Sequence, residues 1–374
     1  MNQTFFSKFE KEVLEAEKLD AVLVTSPANM RKCSGFRGEG AVFLSKKLKL
    51  VFTDSRYTEA AKNECPAFEV ILIKGNLWEA WLSELGKRLG AKRLSQLSIG
   101  FEDAFMTVKT ERMIQALFEK YECSGIGWVA LDDRLERLRH RKDEEEIREI
   151  ERAEHIGDEA FAKILGKLAA SRADGIPLSE KQVAAWLEFY MKELGAEKTS
   201  FDTIAASGIH SSMPHAIPTD KIIEDGDFLT MDFGCVVGGY CSDMTRTVVY
   251  GKGDQKQREV YDTVLRAQTE ALRAIRPGMK GCEVDAVART VIEDAGYGEC
   301  FGHSLGHSVG LMIHETPCFA PRDETILEPG MVITVEPGIY IEGVFGVRIE
   351  DVVVITEDGC RNLTHASKQW TELL

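Results

Sequence analysis

Four acidic residues in the second half of the chain lie inside otherwise apolar sequence. The segment 226–234, GDFLTMDFG, aligns without gaps on the segment 330–338, GMVITVEPG, and an acid occupies the same place in both copies. A second acid follows each copy. The four acids are Asp232, Asp243, Glu336 and Glu350. The sequence therefore predicts two similar β-hairpins, each of which contributes two carboxylates.

Side-chain alternation places these acids beside apolar neighbours. Residues two apart in a strand share a face, so Thr230 and Asp232 point to one side and Leu229 and Met231 to the other. A carboxylate among apolar groups is unfavourable unless a nearby charge compensates it. Solvated edge strands with ordinary surface acids are the alternative, but the polar neighbours that they require are mostly missing.

Converging carboxylates need cationic partners, because two such charges at 4 Å repel by about 4 kcal/mol at an effective dielectric of 20. No lysine or arginine is expected beside Asp232 or Glu336, whereas Arg246 and Arg348 lie close to the second acids in the sequence. Strand parity puts Arg246 on the opposite face from Asp243, which favours a structural ion pair. Two divalent cations would neutralise four carboxylates, so we predict a dinuclear metal centre.

Histidines concentrate in the same half of the chain, where five of the eight lie between residues 210 and 314. His303, His307 and His314 belong to the nearly uncharged segment HSLGHSVGLMIH, and His215 lies in the loop-like segment SSMPHAIP. A lone histidine in apolar sequence is more often structural than functional. Several enclosed imidazoles in a region with four acids favour a role at a metal or substrate.

Five short motifs follow one another in this half: DFG at 232–234, SDMTRT at 242–247, HSLGH at 303–307, VEPGIY at 335–340 and VRIED at 347–351. The ordered set resembles the signature of the pita-bread metallopeptidases, in their prolidase and aminopeptidase P branch. The resemblance implies a creatinase-type α/β N-terminal domain. An α+β pita-bread catalytic domain would follow, with pseudo-twofold halves and a curved antiparallel sheet.

The resemblance also implies roles for individual residues. The implied metal ligands are Asp232, Asp243, His307, Glu336 and Glu350, with Asp243 and Glu350 bridging two ions. The ions implied are Mn²⁺ or Co²⁺, with Zn²⁺ or Fe²⁺ left open. The implied substrate-binding residues are His215, His303, His314 and Tyr340. The three histidines are also implied in catalysis, together with Glu336 as a proton shuttle and Arg348 as a support for a bridging carboxylate.

The activity implied is hydrolysis of the Xaa-Pro bond at the amino end of dipeptides or short peptides, by a metal-bridged hydroxide. Whether the chain is a dipeptidase or an aminopeptidase stays open, as does the preferred residue before proline. The alternatives are a non-catalytic binding module of the same fold, a methionine aminopeptidase and a creatine amidinohydrolase. The family implies small proline-containing peptides as partners, and a homodimer.

The whole chain has 374 residues, a formal net charge of −15 and a pI near 5.2. This acidic balance argues against nucleic acid or an anionic membrane as a partner. Nine cysteines without C-x-x-C spacing indicate reduced thiols, and no apolar run reaches the ~20 residues of a membrane span. We therefore expect a cytoplasmic protein.

Two domains are predicted, 1–138 and 139–374, because a charge-dense run at 134–143 separates two patterned regions. The first region predicts an α/β domain, with Trp78, Trp81 and Leu85 in its core. Its predicted strands are 21–25, 41–44, 48–53, 68–73 and 98–101, and its predicted helices are 5–18, 57–63, 77–89 and 108–119. The second region predicts a long helix that opens within 134–143, then helices at 179–194, 258–274 and 282–294.

Overall fold

The computed structural model describes residues 3–374 and divides into two compact units, Met1–Arg139 and His140–Leu374. Each unit has its own buried hydrophobic clusters. Among the helices of residues 3–374, none combines the length and the apolar character that a membrane span requires. All nine cysteines, which lie within this range, are free thiols, as predicted.

The first unit contains a six-stranded sheet. Its strands are β1 (Ala21–Val24), β2 (Ala41–Ser45), β3 (Lys49–Thr53), β4 (Glu69–Leu72), β5 (Ser98–Phe101) and β6 (Gly127–Ala130), in the spatial order β4-β3-β2-β1-β5-β6. The β1-β2 and β2-β3 pairs are antiparallel, and the β1-β5, β3-β4 and β5-β6 pairs are parallel. Its helices are α1 (Gln3–Phe9), which continues into a π-helical segment Glu10–Glu15, α2 (Pro27–Ser34), α3 (Thr58–Glu64), α4 (Leu77–Leu89), α5 (Ala91–Leu94), α6 (Val108–Lys120) and α7 (Arg134–Arg137).

Five of these strands and four of these helices lie where the sequence predicts them. Trp81 and Leu85 are fully buried between α4 and the sheet, and Trp78 packs partly buried against the same cluster. The prediction omitted β6, which is a short edge strand with partly exposed side chains, and α2, which begins after the capping residue Ser26.

The second unit contains four α-helices, two short 3-10 helices (Gly208–Ser212 and Gly298–Cys300) and several small sheets. The α-helices are α8 (Glu144–Ala173), α9 (Glu180–Glu193), α10 (Gln255–Ala274) and α11 (Gly281–Asp294). The strands are β7 (Lys198–Thr199), β8 (Ile204–Ser207), β9 (Phe228–Phe233), β10 (Cys235–Val237), β11 (Tyr240–Cys241), β12 (Met244–Tyr250), β13 (Gly306–Ser308), β14 (Glu315–Phe319), β15 (Val332–Val335), β16 (Gly338–Ile341), β17 (Phe345–Arg348), β18 (Asp351–Ile355), β19 (Cys360–Asn362) and β20 (Glu372–Leu373).

The two largest sheets of this unit contain the repeated segments. One has the order β20-β12-β9-β8 and the other β14-β13-β15-β18-β19. Each repeated strand pairs antiparallel with the strand that follows the second acid of its copy. Strand β9 pairs with β12, and β15 pairs with β18. Both copies begin at a glycine with φ of +91°, Gly226 and Gly330, a conformation that a side chain disfavours. The repeat therefore extends from sequence to backbone geometry.

Helices cover the apolar faces of these strands. Leu229 and Met231 of β9 pack in one cluster with residues of α8 and α9, whereas Ile333 and Val335 of β15 pack in another with residues of α10 and α11. Helix α8 begins at Glu144, because Asp143 and Glu146 form a capping box there. The prediction that this helix opens within 134–143 is therefore wrong, since part of that run forms the separate helix α7.

Candidate metal centre

Four strands place the four predicted acids. Asp232 lies in β9 opposite Thr245 of β12, and Asp243 immediately precedes β12. In the second copy, Glu336 immediately follows β15 and Glu350 immediately precedes β18. Because β15 and β18 are paired at Val335 and Asp351, these two acids leave the ladder at the same end. Each copy of the repeat thus supplies its two carboxylates from two adjacent chain segments.

The acids line a cavity of about 670 Å³ within the His140–Leu374 unit. The same cavity is lined by other predicted site residues: His215, His303, His307, His314 and Arg348. Tyr340 lies behind this wall, with its hydroxyl 3.0 Å from His303 Nε2 and 2.7 Å from Arg348 Nη1. The fold therefore brings together all the residues that the sequence motifs singled out.

Three of the predicted ligands form a compact group. Asp243, His307 and Glu350 each offer one donor atom, and these atoms lie within 4.8 Å of one another. Glu336 is adjacent, because its Oε1 lies 3.4 Å from His307 Nε2, and Asp243 Oδ2 lies 3.5 Å from the same nitrogen. One nitrogen among several carboxylate oxygens is a donor set suited to hard or borderline divalent ions.

Two buried carboxylate oxygens of this group have no hydrogen-bond partner among the described residues. They are Asp232 Oδ1 and Glu350 Oε1. Buried charged oxygens in folded proteins nearly always have partners, so an unpaired oxygen here is available to a ligand from outside the chain. Cations at this position would satisfy both oxygens and offset the carboxylate charges, so the residues fit a divalent metal site.

The electrostatics of the metal-free group agree with this assignment. Burial, together with the neighbouring carboxylates, raises the pKa of Asp243 and that of Glu350 well above their usual values. Burial is also the main cause that raises the pKa of Glu336 to about 7. Without a cation the protonated forms of these carboxyls are therefore favoured, because buried negative charges repel one another.

Arg348 corrects one prediction. Its guanidinium is buried and its Nη2 lies 2.5 Å from Asp232 Oδ2, so the expectation that no arginine would lie beside Asp232 is wrong. The sequence does not reveal this contact, because its two residues lie 116 positions apart, in β9 and β17. Arg348 reaches the predicted bridge Glu350 through Thr245, whose hydroxyl accepts from Arg348 Nε (3.0 Å) and donates to Glu350 Oε2 (2.7 Å).

The cavity histidines differ in their exposure. Burial lowers the pKa of His303 to about 4, and it also lowers the pKa of His307 and that of His314. The rings of His307 and His314 are in edge contact at 4.4 Å between centroids. His215 and His314 are exposed where they line the cavity, so the cavity of this unit opens to solvent beside them.

Sequence reasoning missed several residues that hold the ligands. Thr334 donates to Glu336 (3.0 Å) and accepts from the His307 N–H (3.0 Å). Its position two residues before Glu336, on the same strand face, was a usable signal. Glu154 of α8 accepts from the Asp243 N–H (2.9 Å), and burial raises the pKa of Glu154 to about 8.

Arg246 has the structural role that strand parity predicts. Its Nη2 lies 2.7 Å from Asp351 Oδ1, and both side chains are about 1% exposed. The guanidinium also donates to the carbonyls of Thr245, Glu350 and Ala366. Because one of these carbonyls belongs to a predicted ligand, this ion pair braces the backbone beneath the carboxylate group.

The fold and the carboxylate group together define a metallopeptidase of the pita-bread class. The model of metallopeptidase family M24 matches residues 148–357, and the model of the creatinase/prolidase N-terminal domain matches residues 10–141. The chain belongs to metallopeptidase family M24. The predictions of the family, of the fold class and of a metallopeptidase are confirmed.

Individual relatives match nearly the full chain. An uncharacterized peptidase of Bacillus subtilis is 44% identical over 352 residues, which are 94% of this chain and 95% of the relative. The structure of an Xaa-Pro dipeptidase from Bacillus anthracis has a TM-score of 0.89 and 37% identity, covering 98% of this chain and 99% of the other. The structure of an X-Pro aminopeptidase from Thermotoga maritima has a TM-score of 0.85 and 37% identity, covering 95% and 98%.

Proposed function

We propose that this chain is a metal-dependent peptidase that hydrolyses the Xaa-Pro bond at the amino end of short peptides. One observation carries the proposal: a buried group of four carboxylates and one imidazole lines an open cavity and contains two carboxylate oxygens without partners. The names of the relatives from Bacillus anthracis and Thermotoga maritima support the substrate class.

The proposed metal ligands are Asp232, Asp243, His307, Glu336 and Glu350, which would hold two divalent ions. Mn²⁺ or Co²⁺ is proposed from the family resemblance, and the mainly carboxylate donors suit Mn²⁺. Ions held there would lower the pKa of a bound water and polarise the scissile carbonyl. The observed support is the short separation of donor atoms and their lack of other partners.

The remaining cavity residues would orient the peptide and move protons. His215 and His314 are exposed at the opening and would donate hydrogen bonds to peptide carbonyls, while His303, fixed by Tyr340, would contact the substrate from the closed side. Glu336, with a pKa of about 7 in the metal-free protein, would accept a proton at Oε1 or Oε2 and pass it to the leaving nitrogen. Arg348 would hold Asp232 in place.

An Xaa-Pro bond suits a cavity of this kind. Its nitrogen carries no N–H and the ring restricts φ, so enzymes that hold an extended backbone by hydrogen bonds bind it poorly. Apolar side chains line part of the cavity, including Phe201, Ile204 and Ile313, and would contact the proline ring or the preceding side chain.

We further propose that residues 139–374 form the catalytic domain and residues 1–138 a supporting domain. The acidic composition and the free cysteines support a cytoplasmic location. A homodimer is proposed from the family resemblance. Size-exclusion chromatography with light scattering tests it, and a monomeric mass would contradict it.

The test of function is a peptide panel with purified protein that has been stripped of metal and reloaded. Ala-Pro and Ala-Pro-Ala are compared with Ala-Ala-Ala and Met-Ala-Ala under added Mn²⁺, Co²⁺, Zn²⁺ or Fe²⁺. We expect metal-dependent release of alanine from at least one of the two Xaa-Pro peptides and little cleavage of Ala-Ala-Ala and Met-Ala-Ala. Cleavage of Met-Ala-Ala alone would indicate a methionine aminopeptidase, and no cleavage of any Xaa-Pro peptide would refute the proposal.

A further inference from the structure

A buried carboxylate that lies outside the cavity lining holds the segment 208–218, here called the 208–218 loop. Glu180 is the first residue of α9, and its side chain is 0% exposed. Its Oε1 accepts from the Ser207 N–H (2.7 Å) and from the Ser207 hydroxyl (2.9 Å). Its Oε2 accepts from the Thr219 N–H (3.0 Å) and from the Thr219 hydroxyl (2.7 Å). Ser207 and Thr219 flank the loop, so one carboxylate holds both of its ends.

The same carboxylate also contacts a residue inside the loop. His210 Nδ1 lies 3.0 Å from Glu180 Oε1 and 3.1 Å from Glu180 Oε2. Burial by itself would raise the pKa of Glu180, but the hydrogen bonds from Thr219, Ser207 and His210 outweigh it and lower this pKa. Glu180 is therefore an ionised side chain that accepts at both oxygens, and a carboxylate accepts more strongly than a neutral group does.

The 208–218 loop forms part of the cavity wall. Pro214 and His215 line the cavity, and the Pro214 carbonyl accepts from Arg348 Nη1 (3.3 Å). Nearer its start, the loop is joined to β17, because the Ser211 hydroxyl accepts from the Gly346 N–H (2.9 Å). The His215 side chain itself is exposed at the opening. Its position therefore depends on the backbone of the loop that carries it.

A second side-chain contact joins α9 to the end of the loop from the outside. Lys181 Nζ lies 2.8 Å from Asp220 Oδ2, and these two side chains are 57% and 87% exposed. Exposed ion pairs contribute little to stability, because water competes for both charges. Glu180 is shielded from water and accepts from three residues, so we expect it to hold the loop far more firmly than this surface pair does.

From these contacts we infer that Glu180 is a positioning residue, which fixes the 208–218 loop and thereby places His215 in the cavity. The inference rests on the proposed Xaa-Pro activity and adds to it a residue that does not contact the peptide. His215 would bind a peptide carbonyl in the substrate complex as well as during the reaction. A displaced loop should therefore weaken substrate binding more than it slows the chemical step.

Steady-state kinetics of the metal-loaded Glu180→Gln variant test this inference. The substrate is whichever of Ala-Pro and Ala-Pro-Ala the wild-type protein cleaves faster. Glutamine keeps the size of the side chain but replaces one accepting oxygen by a donating NH₂, so one end of the loop loses its acceptor. We expect KM to rise about tenfold, with kcat within about threefold of wild type and bound metal unchanged.

Asp220→Asn is the matched control. It makes the same carboxylate-to-amide change in the exposed pair with Lys181, at the end of the same loop. We expect its KM and kcat to stay within about twofold of wild type. A rise in KM equal to that of Glu180→Gln would overturn the inference, because any lost charge in this region would then have the same effect.

A double-mutant cycle separates positioning from general damage. Glu180→Gln is added to His215→Ala, and the two single variants are measured beside it. If Glu180 acts through His215, the second change should raise KM by less than about threefold once the imidazole is absent. The same tenfold rise in both backgrounds would overturn the inference, because the effect would then not pass through His215.

Hydrogen exchange of the metal-loaded protein without substrate measures the loop independently of activity. Peptides that cover 207–219 should exchange about tenfold faster in Glu180→Gln, whereas peptides from α11 should not change. Thr219→Val removes one donor and keeps the carboxylate, so it should show smaller changes in the same direction. This milder variant decides the question if Glu180→Gln does not fold.

The outcomes separate this inference from the function on which it rests. Unchanged exchange of 207–219, or an unchanged KM in both Glu180→Gln and Thr219→Val, would overturn the inference and leave the Xaa-Pro activity intact. A loss of bound metal, or a fall in kcat as large as the rise in KM, would also overturn it, because Glu180 would then support the whole site. No cleavage of either peptide by the wild-type protein would refute the proposed function, whatever the exchange shows.

Discussion

Metal binding to this chain should release protons, and the release should depend on pH. In the metal-free protein, burial raises the pKa of Glu336 to about 7 and raises the pKa values of Asp243 and Glu350 well above normal. Carboxylates must be ionised to bind a divalent ion. The protons that these groups hold must therefore leave when the ion enters.

The size of the effect follows from Glu336. A carboxyl group with a pKa of about 7 is protonated in roughly nine of ten molecules at pH 6, so Glu336 alone releases about 0.9 proton there. Asp243 and Glu350 add to this number. At pH 8.5 Glu336 is almost fully ionised and its contribution falls close to zero. For each proton that is released on binding, the metal affinity rises about tenfold per unit increase in pH.

Isothermal titration calorimetry measures this release directly. The apparent enthalpy of Mn²⁺ binding is recorded at pH 6 and pH 8.5 in buffers that differ in ionisation enthalpy. We expect about one proton or more at pH 6, and Glu336→Gln should lower the release clearly at pH 6 but little at pH 8.5, where a metal-bound water releases a proton in both proteins. A release of zero at pH 6, or a release at pH 6 that Glu336→Gln leaves unchanged, would refute the view that these acids share a buried, cation-dependent site.

Three further outcomes are expected. Chelation should lower the melting temperature, because a ligand at a hundredfold excess over its Kd stabilises the folded protein by about 3 kcal/mol. Scanning calorimetry measures this temperature, and an unchanged value after chelation would contradict the metal site. Arg246→Met should cost roughly 1.5–3 kcal/mol in urea unfolding, since the buried Asp351 loses the hydrogen bond from Arg246 and keeps Lys368 as its remaining cation. Arg258→Met, which removes an exposed helix pair with Asp262, is the matched control and should change little. Asp243→Ala should abolish Xaa-Pro turnover, whereas Cys235→Ala, a buried thiol outside the cavity lining, should keep most of it; equal loss in both would argue for a general folding defect.

Local patterns in the chain account for much of the fold. Helices α9, α10 and α11 begin and end within a few residues of their predicted bounds, because capping residues and apolar spacing are local signals. The edge strand β6 and the break before α8 were not anticipated. A charged run such as 134–143 is compatible with helix or with a connection, and contacts elsewhere in the fold decide between them.

Reading the residues in order was enough to identify a duplicated hairpin, its four acids and the family to which it belongs. These features depend on residue identity and on a strand period of two, which hold wherever the strands are placed. The tertiary structure alone determined which side chains meet. Arg348 contacts Asp232 rather than a predicted bridging acid, Thr245 holds Glu350, and Glu154 supports Asp243 from a helix. Distances between residues more than a hundred positions apart are set by how the two copies of the repeat pack against each other. No local pattern in the sequence records that packing.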